Sequence, residues 1–194
     1  MRITGGDLRG RQVHVPKGDV RPTQDRVRAA LFNIIGARVA GARFLDLFAG
    51  SGAVGLEAWS RGAASVCWVE SHRRTLMVLK RNIEELCGAE GQVLGADVRV
   101  FLKKGLAPGP YDVIFCDPPY EKGGRGRAPR RPDLAWLPLI LREVRGAGAL
   151  ALGGLLVMEQ ASDEPGAGEE GWVQSDDRLY GGTRLRFFRQ EGGA

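Results

Sequence analysis

The sequence predicts an α/β protein: a seven-stranded, mostly parallel sheet with helices on both faces, closing in a C-terminal antiparallel hairpin. Three observations carry this. From Arg43 onward, short apolar runs alternate with runs of helical periodicity, the pattern of a parallel sheet with crossover helices. A glycine-rich turn, DLFAGSGAVG (46–55), sits where the first apolar run gives way to a helix. The last two apolar runs have no helical pattern between them, so they pair as a hairpin.

Residues 1–20 read as two short strands, around 1–4 and 12–15, joined by the turn GGDLRGR. The expected division is a basic hairpin extension, 1–22, ahead of a main domain, 23–194. In RPTQDRVRAALFNII (21–35), Thr23 can cap a helix and Asp25 lies in its first turn. Val27, Ala30, Leu31, Ile34 and Ile35 repeat at helical spacing, which turns Arg26 and Arg28 to another face. Strands follow at 44–48, 65–70, 91–97, 111–117, 153–160, 172–176 and 184–190, with helices at 53–61, 73–86, 98–104 and 133–144. The acidic, glycine-rich 161–171 reads as a surface loop.

A chain of 194 residues makes one domain with at most a small appendage. The three cysteines show no metal or redox spacing, and read as small buried hydrophobes in a reducing compartment. No run has signal-peptide or membrane-span character, so the expectation is a cytoplasmic monomer that touches no membrane. Net charge is only +5, but it is unevenly spread. Residues 1–28 hold seven Arg or Lys against three Asp, and Lys122, Arg125, Arg127, Arg130 and Arg131 crowd one loop. Localised positive charge points to a polyanionic partner.

The glycine turn supports two cofactors. GSGAVG matches the dinucleotide pattern GxGxxG, with Glu70 twenty residues after Gly50, so a nicotinamide-linked dehydrogenase competes. Asp46 argues against it: a pyrophosphate would meet a negative charge at close range, whereas a phosphate-free cationic cofactor would be helped.

D-x-F-x-G-x-G, followed by an acid closing the next strand, resembles motifs I and II of the class I S-adenosylmethionine-dependent methyltransferases, and so implies their Rossmann-like fold. The resemblance implies that backbone from Phe48 through Ala49, Gly50, Ser51 and Gly52 approaches the methionine part. It implies further that Asp46 contacts the amino-acid end and that Glu70 accepts from the ribose hydroxyls. Asp97 would accept from the adenine amine, with the Val98 amide nearby; the competing reading of Asp97 is a helix cap.

DPPY (117–120) ends another strand at the same carboxyl edge. Two prolines fix φ and remove two amide donors, leaving the Asp117 carboxylate and the Pro118 carbonyl as rigid acceptors beside the flat face of Tyr120. That combination suits an exocyclic amine on a planar base turned out of its stack. It resembles motif IV of the amino-group methyltransferases, making Asp117, Pro118 and Tyr120 the expected catalytic residues. No metal site or hydrolytic triad competes, and His14 and His72 read as surface or packing residues.

Taken together, RITGGDLRGRQVHVP, RPTQDRVRAALFNII, DLFAGSGAVGLEAWSRGA, DPPY and YGGTRLRFF resemble the bacterial RsmD family almost end to end. The resemblance implies methyl transfer from S-adenosylmethionine, leaving S-adenosylhomocysteine, to a guanine N2 in 16S ribosomal RNA, free or within the 30S subunit, without a metal. Arg9, Arg11, Arg21, Arg26, Lys122, Arg125, Arg127, Arg130 and Arg131, with Arg28 at the same helix start, are expected to grip RNA phosphates. The stretch 125–132 is longer and more basic than the family's pattern. A DNA adenine-N6 methyltransferase and a non-catalytic RNA-binding module are the other readings.

Overall fold

The computed structural model describes residues 1–16, 22–88, 91–104, 109–119, 136–166 and 168–192, with 22–24 described by backbone alone. Helix α1 (Pro22–Ile35) and a 3₁₀ turn (Gly36–Val39) lead into the repeating part. Then come β1 (Arg43–Leu47), α2 (Ala53–Ser60), β2 (Ser65–Val69), α3 (Arg73–Cys87), β3 (Gln92–Leu94), α4 (Val98–Lys103) and β4 (Tyr111–Cys116). The chain closes with α5 (Trp136–Gly146), β5 (Leu150–Ala161), β6 (Trp172–Tyr180) and β7 (Thr183–Gln190).

The seven strands form one sheet in the order β3-β2-β1-β4-β5-β7-β6. The first five run parallel, and β7 pairs antiparallel with both β5 and β6, as expected of a pair with no crossover helix. The order reverses between β1 and β4, so the crevice at the carboxyl ends of these strands is where a ligand belongs.

Strand residues alternate between two apolar layers. Phe44, Trp68, Val113, Phe115 and Val157 face α1, α2 and α3 through Leu31, Leu56 and Leu79. Leu45, Cys67, Ile114, Cys116 and Met158 face α4 and α5 through Phe101, Ile140 and Val144. Each such side chain contributes about 1.5–3 kcal/mol by leaving water, which is why the strands are near-continuously apolar.

Three expectations change. Residues 1–16 keep the hairpin pairing in a shorter form than expected: one bridge, Arg2 with Gln12, is flanked by bonds from the Ile3 amide to Arg11 O at 3.0 Å and from the Val13 amide to Met1 O at 2.9 Å. The segment lies on the α1 face, where Ile3 and Val13 join the same apolar layer as α1 and α3. Strand β5 begins at Leu150, before the predicted Gly153, because residues 151–154 bulge out of register with β4. Arg28 does not face away with Arg26. It is 4% exposed, since a partner 29 residues ahead, Glu57, waits under it.

Candidate active site

The turn after β1 is built from backbone that ordinary residues avoid. Gly50 and Gly52 have φ of 57° and 82°, and Phe48, at 59°, is the one non-glycine residue with positive φ among those described. Such strain costs about 1–3 kcal/mol and persists where surrounding contacts fix it. Here the Ala49 amide donates to Val69 O at 3.0 Å and the Gly52 amide to Ala49 O at 2.7 Å, while the Phe48 ring sits edge-on to Trp136. Asn82 donates to Ser51 O at 2.8 Å from α3. The last glycine of GSGAVG has a separate reason: a Cβ on Gly55 would lie 2.2 Å from the Trp68 indole nitrogen.

Acidic side chains flank this turn. Glu70, just past β2, accepts from the Gly50 amide at 2.9 Å and the His72 amide at 2.6 Å. Asp46, at the end of β1 and 1% exposed, accepts from the Gly55 amide at 2.9 Å. Burial pushes its pKa up to about 8; the Gly55 bond opposes this and the nearby Glu70 charge reinforces it. Amides of the turn and of the first turn of α2 are the donors a pyrophosphate uses. Here two of them are taken by carboxylates of the chain itself, which works against the dinucleotide reading.

Asp117 follows β4, its amide 3.4 Å from Leu47 O, and Pro118 is buried behind it. A cavity of about 110 Å³ opens between the turn, α1 and the ends of β4 and β5, and Asp46, Gly50, Asp117 and Glu159 all line it. Asp46 and Asp117 therefore meet in one space, while Glu70 reaches it through Gly50.

Asp97 behaves as the competing reading had it. Its carboxylate caps α4, accepting from the Arg99 amide at 2.9 Å, and holds the Arg99 guanidinium through two further bonds. These bonds from Arg99 keep its pKa below the ordinary value. Val98 is buried beside it. His72 accepts from the Thr75 amide at the start of α3, and His14 pairs with Glu85 at 3.0 Å, so both serve packing and surface.

Of the expected RNA contacts, Arg9, Arg11 and Arg26 are exposed. Arg21, Lys122, Arg125, Arg127, Arg130 and Arg131 fall outside the described residues, as does Tyr120. Arg28 is a correction: it cannot grip phosphate from where it lies, bonded to Glu57, Asp25 and the Arg2 carbonyl.

The first residues of the chain wall the cavity. Met1 and Arg28 line it. Behind them Glu57, fully buried, accepts from the Thr4 amide at 2.8 Å, the Thr4 hydroxyl at 2.6 Å and Arg61 at 2.9 Å. Ser60 binds Gly5 O and the Leu8 amide, and Asn82 exchanges two bonds with His14. Neither Glu57 nor Glu159 figures among the residues expected from sequence. For Glu159 the signal was present: VMEQ places an acid at the end of an apolar strand, as do VE and CD at Glu70 and Asp117.

The sequence pattern of the family described as Conserved hypothetical protein 95 matches residues 1–189. The chain is 42% identical over 125 residues to an Escherichia coli protein named ribosomal RNA small subunit methyltransferase D, a match covering 63% of this chain. It spans 62% of that relative's own length. Among solved structures, a putative methyltransferase from Escherichia coli superposes with a TM-score of 0.81 at 32% identity, covering 98% of both chains. A putative methylase from Haemophilus influenzae superposes with a TM-score of 0.74 at 28% identity, covering 97% of both.

Proposed function

The chain belongs to the family described as Conserved hypothetical protein 95, with the small subunit methyltransferase D proteins, and on that premise we propose that it methylates the N2 amine of a guanine in small-subunit ribosomal RNA. The observation that carries the reading is the run of acids along the carboxyl edge. Glu70, Asp46 and Asp117 close β2, β1 and β4, which are neighbours in that order. All three fall on the α1 face, because Trp68, Phe44 and Phe115, two residues earlier on each strand, pack there. This set of acceptors fits a cofactor with hydroxyls at one end, a cation in the middle and no phosphate.

Glu70 would hold the ribose hydroxyls, and Asp46, with the backbone of Phe48–Gly52, the methionine end. S-adenosylmethionine, when bound, supplies an electrophilic methyl: the N–CH₃ bond forms as the S–CH₃ bond breaks, sulfur keeps the electron pair, and S-adenosylhomocysteine leaves. The chain's own residues do the rest. The Asp117 carboxylate and the Pro118 carbonyl accept the two N–H bonds of the base amine and localise its lone pair. Asp117 then stabilises the cationic nitrogen and takes its proton, which passes to solvent. Tyr120, three residues after Asp117, supplies a stacking face. Holding the reactants in place can contribute on the order of 7–11 kcal/mol. Arg9, Arg11 and Arg26, with the basic residues of 121–131, would hold phosphates, so binding falls steeply with salt.

The test offers S-adenosylmethionine with unmodified 30S subunits, protein-free 16S RNA and duplex DNA, and identifies product nucleosides by mass spectrometry. N2-methylguanosine from either RNA substrate is the expected product, and methyladenine from DNA overturns the substrate. Asp117→Ala is expected to lower turnover on the order of a thousandfold or more while S-adenosylmethionine still binds, measured by calorimetry. Retained turnover would remove Asp117 from the mechanism.

A further inference from the structure

Glu159 has no part in the chemistry above, yet it is placed to touch the same base. It stands on β5 one step past the Cys116–Met158 pair, which sets it beside Asp117 on the neighbouring strand. Leu155 and Val157 of its own strand pack on the α1 face, as do Val113 and Phe115 of β4. The two-residue alternation of strands turns Glu159 and Asp117 to that same face. Both line the one cavity.

A second carboxylate on the neighbouring strand, whose backbone runs about 4.8 Å from the first, has a definite meaning for the incoming base. Guanine carries its N1–H next to the N2 amine, two donors side by side on one edge. Adenine flanks its N6 amine with the bare N1 lone pair, and cytosine flanks N4 with bare N3. An acceptor next to the amine-binding acceptors therefore pairs with guanine and repels the other two. In a half-enclosed cavity both the attraction and the repulsion are larger than in water.

We infer that Glu159 is the guanine-selecting residue of this site: its carboxylate accepts N1–H from the base whose N2 amine is held at Asp117 and Pro118. The inference rests on the methyl-transfer reading. It adds a second effect, since drawing on N1–H raises electron density in the N1–C2–N2 unit and makes the amine a better nucleophile.

The test separates selection from folding. The guanine that the wild-type protein methylates is located, and RNA is prepared with 2-aminopurine at that position. This analogue keeps the 2-amine but bears a lone pair at N1. The quantity read is the ratio of kcat/KM for guanine to that for 2-aminopurine. Wild type is expected to prefer guanine on the order of a hundredfold, as a site does when a buried polar group is left facing the wrong partner. Glu159→Gln, whose amide can donate as well as accept, is expected to shrink the ratio to a few-fold. Glu159→Asp, which keeps the carboxylate, is expected to retain the preference at a lower rate. An unchanged ratio in Glu159→Gln overturns the inference alone, as does a wild type that does not discriminate, which decides the matter even if Glu159→Gln does not fold. A wild type that transfers no methyl to any guanine overturns the methyl-transfer reading, and this inference with it.

Discussion

Asp46 at the end of β1 and Glu57 on α2 are both sealed from water, at 1% and 0% exposure, but their surroundings hold the proton in opposite ways. Burial alone would raise both. Around Glu57 it is outweighed: Thr4 donates twice, Arg61 once, and the Arg28 charge stands beside them, so the pKa falls below the ordinary value. Around Asp46 there is one backbone donor, Gly55, and a like charge, Glu70, so the pKa climbs to about 8. The difference teaches what each carboxylate is for. Glu57 is a charge whose partners are all supplied by the fold, and it fastens the N-terminal wall. Asp46 is a carboxyl that no cation pairs with among the described residues, and an arriving cation would complete it.

Replacing either acid breaks the comparison in a characteristic direction. Glu57→Ala strips the buried Arg28 of its buried counter-charge, leaving it the half-exposed Asp25, and strands the Thr4 donors; it is expected to lower unfolding free energy by about 3 kcal/mol in urea titration. Asp46→Asn removes no such partner. It is expected to leave the urea midpoint at pH 7 unchanged or higher, and to weaken S-adenosylmethionine binding on the order of tenfold by calorimetry. A large loss of stability in Asp46→Asn would mean that the two acids play the same role.

pH sharpens the contrast. The raised pKa of Asp46 means that the folded state binds a proton that the unfolded chain has already lost above about pH 4. Its contribution to stability is therefore full at low pH and declines as pH rises towards 8, whereas the lowered pKa of Glu57 contributes stability that is lost on acidification. Thermal melts of wild type and Asp46→Asn between pH 5 and 9 should diverge upward, the variant gaining on the alkaline side. The smallest expected effect is a fraction of a proton released on ligand binding near pH 7. Calorimetry in buffers of different ionisation heat should show this release in wild type and lose it in Asp46→Asn.

Much of this architecture was legible because parallel strands and their crossovers carry period and punctuation in the chain itself. The carboxyl-edge acids could be read as well, since Glu70 and Asp117 each terminate an apolar run. What escaped sequence reading depends on partners far away. AVGLEAWS looks like any amphipathic turn, and nothing local says that Glu57 will be met by Thr4, 53 residues earlier, and by Arg28. For the same reason Arg28 read as a surface cation, and nothing local said that the hairpin read at 1–20 would pack Ile3 and Val13 against α1 and α3. Asp97 was ambiguous on chemical grounds: a carboxylate ahead of a helix caps it whether or not it also meets a ligand, and Arg99, two residues on, was available to hold it there.

Asn82 ties the backbone of His14 to that of Ser51, bridging a separation of 68 residues on one side and 31 on the other. Proteins are made from the N-terminus at about 5–20 residues per second, so roughly 3–14 s of synthesis separate His14 from the side chain that receives it. Through that interval the α3 part of the layer that Ile3 and Val13 join, Leu79 and Ile83, is incomplete. Closing so long a loop costs little more entropy than closing a short one, so the wait is set by translation. The bonds that hold residue 14 against the glycine turn therefore wait for α3, and the wall of the cavity they brace waits with them.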